Sequence, residues 1–129
     1  MSEYTKINLS EVTDLAPQFG MGEMGEARFA RRQLGADKIG LTYYKMNGGK
    51  RVGFGHTHAE VEEAYVVLSG AGRFKVGDEI YEVGPRDVVY VAPKAMREWE
   101  AAPEGMEMLA FGGHAEGDAE MKQGWWTDS

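Results

Sequence analysis

Short runs of alternating apolar and polar residues, separated by glycine-containing turns, fill the chain from about Glu26 onward. Period-two alternation with β-branched and aromatic residues is typical of β-strands. The pattern predicts nine short strands, over residues 27–34, 39–46, 54–58, 64–69, 73–76, 80–83, 87–91, 96–101 and 106–111. Gly77-Asp78 predicts a hairpin, because these residues accept the positive φ angles of a two-residue turn.

Helical patterning is weak throughout the sequence. Ser10 is the expected cap of one short N-terminal helical turn, and residues 20–25 are expected to form a flexible loop. Many short, evenly spaced strands in a chain of 129 residues predict an all-β fold, either an antiparallel sandwich or a small barrel. The length is that of one domain with one core.

Composition and charge argue against several classes of partner, metal site and cellular location. The net charge is −7, from 14 basic and 21 acidic residues, and the basic residues form no cluster, so nucleic acid and anionic membranes are poor candidate partners. The chain has no cysteine, which excludes disulfides and sulfur-ligated metals. The polar N-terminal residues lack the apolar core of a signal peptide, and no apolar run reaches membrane-spanning length. We expect a cytoplasmic protein.

The pair His56 and His58 carries the clearest chemical signal, since the chain has only three histidines. Side chains at i and i+2 point to the same face of a strand. With Glu63 on the next strand they make two nitrogens and one carboxylate, a ligand set that suits a divalent transition metal such as Fe, Mn, Ni or Zn. The alternative is a pair of strand histidines that make ordinary hydrogen bonds.

The order of His56, His58, Glu63 and Gly70 resembles the first motif of the cupin superfamily, and residues 84–99 resemble its second motif. The resemblance implies a single-domain, double-stranded β-helix (a jelly-roll barrel). Its core barrel would cover residues 26–112, with an N-terminal arm over 1–25 and a C-terminal tail over 113–129. It further implies a homodimer whose ligand is a small, anionic organic molecule or a sugar derivative. If the protein is an enzyme, the implied chemistry is that of a dioxygenase, isomerase, epimerase or decarboxylase.

Three positions depart from the family pattern. Gly49 lies one residue too far from the histidines, Lys94 stands where the second motif has a glycine, and Arg97 aligns with the last metal-binding histidine. Arginine has no lone pair to offer a metal. Arg97 is therefore expected either to hold an anionic substrate beside a metal bound by His56, His58 and Glu63, or to replace the metal by pairing with Glu63 in a ligand-binding or sensing protein. The alternatives are that Arg97 is an outward-facing surface residue, or that the site is vestigial and the barrel serves only as an assembly unit.

Several further residues are candidates for a pocket or for the core. Tyr65 and Trp99 are expected to line a substrate pocket, with an ordinary core role as the alternative. Glu98 is expected on a solvated face and His114 in an exposed loop, although His114 would reach the metal if the tail folded back. Trp125 and Trp126 are too apolar to be left in solvent, so we expect them to dock on the barrel or on a partner subunit.

Overall fold

The structure, a computed structural model, describes residues 3–127 and is built almost entirely from β-strands. The eight strands are β1 (Gly25–Phe29), β2 (Ile39–Met46), β3 (Phe54–His58), β4 (Glu63–Val76), β5 (Glu79–Val83), β6 (Val88–Val91), β7 (Arg97–Gly113) and β8 (Ala119–Gln123). One helical turn, α1 (Arg31–Leu34), and two 3-10 turns (Leu9–Glu11 and Ala16–Phe19) complete the fold. No helix among residues 3–127 is long and apolar enough to cross a membrane.

The two longest strands, β4 and β7, pair along most of their length and organise the sheet. Beyond β4 lie β5 and β6, and beyond β7 lie β2 with β1 and, at the other end, β3 with β8. All of these pairs are antiparallel. The sheet curls around one hydrophobic core, whose largest members are Tyr65, Phe74, Trp99, Met106 and Met108. The all-β prediction is confirmed.

The strands are fewer and longer than the sequence predicts. Residues 64–69 and 73–76 belong to one strand, β4, whose register shifts between Val67 and Ser69 and again between Gly70 and Gly72. Gly70 allows this bend because it has a φ of +73°, and a Cβ there would lie 2.1 Å from the Gly105 carbonyl oxygen. The residues flanking this close approach therefore look like two strands in sequence and form one in space.

The predicted N-terminal elements also differ in detail. The first strand ends at Phe29, because α1 begins at Arg31 within the predicted strand 27–34. The cap of the first 3-10 turn is Asn8, whose Oδ1 accepts a hydrogen bond from the Ser10 backbone N–H at 2.9 Å. In the glycine-rich segment 20–25, Met21 and Met24 are buried in the core.

The hairpin between β4 and β5 turns at Gly77-Asp78, with Val76 opposite Glu79, as the sequence predicts. Gly77 has the positive φ, +57°, that such a turn requires.

Candidate metal centre

The two motif histidines and the motif carboxylate come from strands that do not pair with each other. His56 and His58 lie on β3, which pairs with β7 and β8, whereas Glu63 begins β4 after a short connection. The Glu63 side chain reaches both imidazoles across the interior of the curled sheet. Among residues 3–127 this is the one group of three or more histidine and acidic side chains whose candidate ligand atoms all lie within 4.8 Å of one another.

The three groups converge on one oxygen atom. Glu63 Oε1 lies 3.3 Å from His56 Nε2 and 3.3 Å from His58 Nε2. The two imidazole rings are nearly perpendicular, with centroids 5.1 Å apart. The predicted convergence of His56, His58 and Glu63 on one face is therefore present in the structure.

At His56 and Glu63, electrostatics favour the protonation states that a cation requires. Burial lowers the pKa of His56, which favours the neutral imidazole. Burial raises the pKa of the Glu63 carboxyl, but the His56 and His58 rings and the Tyr65 hydroxyl beside Oε1 outweigh it, so the pKa lies well below its ordinary value. The site at neutral pH thus presents a carboxylate beside a neutral His56 ring.

Tyr65 and Trp99 form the buried wall beneath the site. The Tyr65 hydroxyl donates a short hydrogen bond to Glu63 Oε1. Burial and the nearby Glu63 charge raise the pKa of Tyr65, so this hydroxyl keeps its proton. The Trp99 ring lies 5.1 Å from the Tyr65 ring, 5.1 Å from the Tyr44 ring and 6.1 Å from the His56 ring, measured between centroids.

Arg97 points inward, beside the two histidines. It is fully buried and lies directly opposite His56 where β7 meets β3. Its Nη2 donates to the Ala92 carbonyl oxygen at 3.2 Å, and its Nη1 lies 3.6 Å from Glu63 Oε1. Arg97 Nε and Nη1 have no hydrogen-bond partner among the described residues. Two buried donors of a permanent cation are thus left without a hydrogen bond next to the histidine–carboxylate cluster.

Comparison with known proteins identifies the family. A family model described as "Cupin domain" matches residues 42–111, more than half of the chain. The protein belongs to the cupin family. No curated protein matches the sequence.

Solved structures share the cupin fold at low sequence identity. A cupin protein from Bacteroides fragilis is 22% identical with a TM-score of 0.72, covering 91% of this chain and 89% of its own. Oxalate decarboxylase from Bacillus subtilis is 22% identical with a TM-score of 0.76, and the match covers 93% of this chain but 32% of that enzyme. Streptomyces Pac13, solved with uridine, is 17% identical with a TM-score of 0.72, covering 95% and 93% of the two chains; Pac13 is described as a nucleoside dehydratase. The predicted double-stranded β-helix is confirmed.

One departure from the cupin motifs, the lysine at position 94, changes a residue but not the backbone turn. Lys94, at the position of the motif glycine, adopts a φ of +72°, a left-handed conformation that glycine adopts without strain. Its backbone N–H donates to the His58 carbonyl oxygen at 2.7 Å, so this turn is hydrogen-bonded to β3, the strand that carries both histidines. The cupin therefore keeps the glycine-type backbone turn with a lysine in it.

Around the site, one expectation from the sequence is wrong and one contact was not predicted. Glu98 is not on a solvated face: it is 1% exposed, because it packs against Gly53 and the Trp126 backbone near the C-terminus. Asp118, which the sequence did not single out, lies 3.2 Å from His58 Nδ1 through its Oδ2. Sixty positions separate the two residues, so no local motif signals this contact.

His114 lies outside the ligand cluster. Its Nε2 is 3.2 Å from Glu116 Oε1, in the loop that follows β7. This position agrees with the predicted loop histidine.

Proposed function

We propose that this cupin binds a divalent transition metal through His56, His58 and Glu63 and uses it on a small, anionic organic molecule. The observation that carries the proposal is the convergence of both Nε2 atoms on Glu63 Oε1 at 3.3 Å. Donor atoms that bind one ion at about 2.1 Å, with angles of about 90–110° between them, lie about 3.0–3.4 Å apart. The observed separations fit that spacing, and the nitrogen and oxygen donors suit Fe, Mn, Ni or Zn.

The surrounding side chains support a site for an anion. A metal bound there would supply Lewis acidity or oxygen activation. Arg97 would hold the carboxylate or phosphate of the substrate with the two nitrogens that lack a hydrogen bond. Tyr65 fixes the orientation of Glu63, and the ring of Trp99 keeps water from beneath the ligands.

The proposal covers several classes of reaction. The cupin resemblance implies dioxygenase, isomerase, epimerase or decarboxylase chemistry, and the fold is shared with an oxalate decarboxylase and a nucleoside dehydratase. One fold serves many chemistries, so the choice rests on the site. A buried cation beside the ligands favours substrates with a carboxylate or phosphate group, and those are the compounds to screen first.

The second candidate is a metal-free binding or sensing protein in which Arg97 replaces the metal. It is favoured by the complete burial of Arg97 and by its position 3.6 Å from Glu63 Oε1. That separation is longer than the 2.7–3.2 Å of an ordinary N–H···O hydrogen bond. Glu63 instead makes its closer contacts with the histidines and Tyr65, which is why we rank the metal site first.

Metal content is the direct test of the proposal. Protein purified without chelator, and protein incubated with each ion, should contain near-stoichiometric metal by elemental analysis. His56→Ala and Glu63→Gln should lose it, because each removes one of three ligands. His114→Ala is the matched control, since this histidine lies outside the cluster, and it should keep its metal. Wild-type protein that takes up no ion would leave the metal-free candidate standing.

We also propose that the protein is a homodimer. Two rows of apolar side chains cross the outer face of four neighbouring strands, and we call them the outer apolar face: Tyr90, Ala64, Phe111 and Leu41 in one row, and Val88, Val66, Leu109 and Tyr43 in the other. Tyr90 is 58% exposed, Val88 61% and Phe111 47%. Contiguous exposed apolar surface of this kind is typical of a protein–protein contact.

A further inference from the structure

Asp118, immediately before β8, makes a direct contact with a proposed metal ligand. Its Oδ2 lies 3.2 Å from His58 Nδ1, on the side of the imidazole ring opposite the nitrogen that faces Glu63. Both side chains are largely buried, with 6% of Asp118 and 14% of His58 exposed. A carboxylate in this position is shielded from solvent and faces the ring nitrogen that does not face Glu63.

The same carboxylate is held in place by the connection between the two ligand strands. Asp118 Oδ1 accepts the Glu60 backbone N–H at 3.0 Å, and Oδ2 accepts that of Val61 at 3.1 Å. The Asp118 carbonyl oxygen accepts the Ala59 N–H at 3.0 Å. Asp118 therefore fastens the segment between β3 and β4 to the start of β8, and its carboxylate has little freedom to leave His58.

The carboxylates on either side of His58 govern its tautomer. An ionised carboxylate only accepts hydrogen bonds, so Asp118 at Nδ1 and Glu63 at Nε2 compete for the one hydrogen of the neutral ring. Glu63 Oε1 already accepts the Tyr65 hydroxyl, whereas Asp118 Oδ2 is held by the loop backbone at 3.2 Å from Nδ1, which favours the hydrogen on Nδ1. In the neutral ring Nε2 then has its lone pair free, and this atom faces Glu63 Oε1 at 3.3 Å. Two acceptors facing each other at that distance are stabilised by a cation between them.

We infer that Asp118 is a positioning residue, which holds His58 in the Nδ1–H tautomer and orients its Nε2 toward Glu63. The inference rests on the proposed metal site for its purpose, and on the contacts of Asp118 for its geometry. Carboxylates that accept a hydrogen bond from a metal-binding histidine orient the ring and raise its basicity. The C-terminal segment is thus part of the site, because it supplies this carboxylate.

The tautomer is measurable without any metal. Nitrogen-15 NMR of the metal-free protein, above the imidazole pKa, distinguishes a protonated Nδ1 from a protonated Nε2, and His56→Gln and His114→Gln assign the three rings. Wild-type His58 should show the Nδ1–H form. A wild-type His58 in the Nε2–H form would overturn the inference, and this measurement needs no Asp118 variant to fold.

The paired variants test the role of the carboxylate in metal binding. In Asp118→Asn the amide must direct an NH₂ group either at a backbone N–H or at His58 Nδ1, so the contact is lost or the tautomer reversed. Affinity for Ni²⁺ and Co²⁺, measured by calorimetry, should fall about 10- to 100-fold. Asp14→Asn is the matched control, because Asp14 also accepts two backbone N–H groups, those of Ala16 and Ala27, but lies outside the ligand cluster. It should keep the wild-type affinity.

The outcomes separate this inference from the proposed function. If wild type binds neither ion, the proposed function fails, and the His58 tautomer alone decides the inference. If wild type binds the ions and Asp118→Asn binds them equally well with the same tautomer, the inference is wrong while the metal site stands. Weaker binding by Asp118→Asn, with unchanged binding by Asp14→Asn, supports both.

Discussion

Glu63 is the residue on which the candidate site depends, because a single oxygen of its carboxylate meets four other polar side chains. His56, His58, Tyr65 and Arg97 all approach Oε1, and the Arg97 Nη1 contact, at 3.6 Å, is the longest. Burial raises the pKa of Glu63, but His56, His58 and Tyr65 outweigh it and hold the pKa below its ordinary value. The two candidate functions differ in the role of Arg97, which either binds an anionic substrate or pairs with Glu63 in place of a metal.

Replacement of Arg97 by methionine should give opposite results in the two cases. If Glu63 is a metal ligand, Arg97→Met keeps its metal content and loses affinity for an anionic probe, because the charge-assisted contact is gone. Oxalate, titrated into metal-loaded protein by calorimetry, should bind about 10- to 100-fold more weakly, as expected for the loss of a hydrogen bond to a charged group.

In the metal-free case the same substitution acts on folding. Arg97→Met would leave the Glu63 charge buried without its partner and lower the free energy of unfolding by about 3–5 kcal/mol. The double variant with Glu63→Gln would recover much of that loss. Arg32→Met, at an exposed arginine in α1, should change neither oxalate binding nor stability. Arg97→Met that resembles wild type in both properties would contradict both interpretations.

The start of β7 shows how a single strand can be buried on both faces. Arg97 and Trp99 face the interior, and Glu98, on the opposite face, lies against the Trp126 backbone and accepts the Gly53 N–H at 2.9 Å. Glu100, two residues further on the same face, is also outside the core but is paired with Arg51 at 2.6 Å and Arg73 at 2.7 Å. Two neighbouring glutamates on one face of a strand therefore experience opposite electrostatic environments.

These two glutamates should affect the pH dependence of stability in opposite directions. Burial raises the pKa of Glu98, so its contribution to stability is present below the unfolded carboxyl pKa and is lost as the pH rises. Burial also acts on Glu100, but hydrogen bonds from Arg73 and Arg51 outweigh it and lower its pKa. Its contribution is present above the unfolded pKa and is lost as the pH falls.

Urea unfolding at about pH 4 and about pH 7 measures both effects. The stability of Glu98→Gln relative to wild type should rise between the two pH values. That of Glu100→Gln, its matched control on the same strand, should fall over the same interval. A shift of the same sign in both variants would contradict the assigned environments.

At the scale of the whole molecule, the curled sheet separates two kinds of surface. The interior surface carries the histidines, Glu63 and Arg97, whereas the outer apolar face lies on β6, β4, β7 and β2. Since β4 contributes residues to both, dimer contact through the outer apolar face would brace the strand that holds Glu63.

Light scattering coupled to size-exclusion chromatography tests the dimer. Wild type should have twice the mass of the 14.3 kDa chain. Val88→Lys places a charge within the outer apolar face and should shift the protein toward the monomer, because burying an unpaired charge is unfavourable. Tyr4→Lys is the control at a highly exposed aromatic residue that is not one of the eight residues of that face, and its mass should equal that of wild type. A dimer unaffected by Val88→Lys would place the interface elsewhere.

The all-β class, the hairpin at Gly77-Asp78 and the grouping of His56, His58 and Glu63 could be predicted from the sequence. These features depend on period-two alternation and on residues close together in the chain, which are local properties. The inward direction of Arg97 and the burial of Glu98 could not be predicted. Both depend on how distant segments pack on the two faces of β7, where Arg97 lies inside the curled sheet and Glu98 lies against the Trp126 backbone.

The contact of Asp118 with His58 shows the same limit at the site itself. The sequence placed residues 113–129 in a tail, because one short run of polar residues there carries no alternation. In the structure Ala119–Gln123 pairs with β3 and brings Asp118 to the ligand strand. Pairing between strands whose partner residues are 61 to 69 positions apart is determined by how the whole sheet closes, and only the folded chain specifies it.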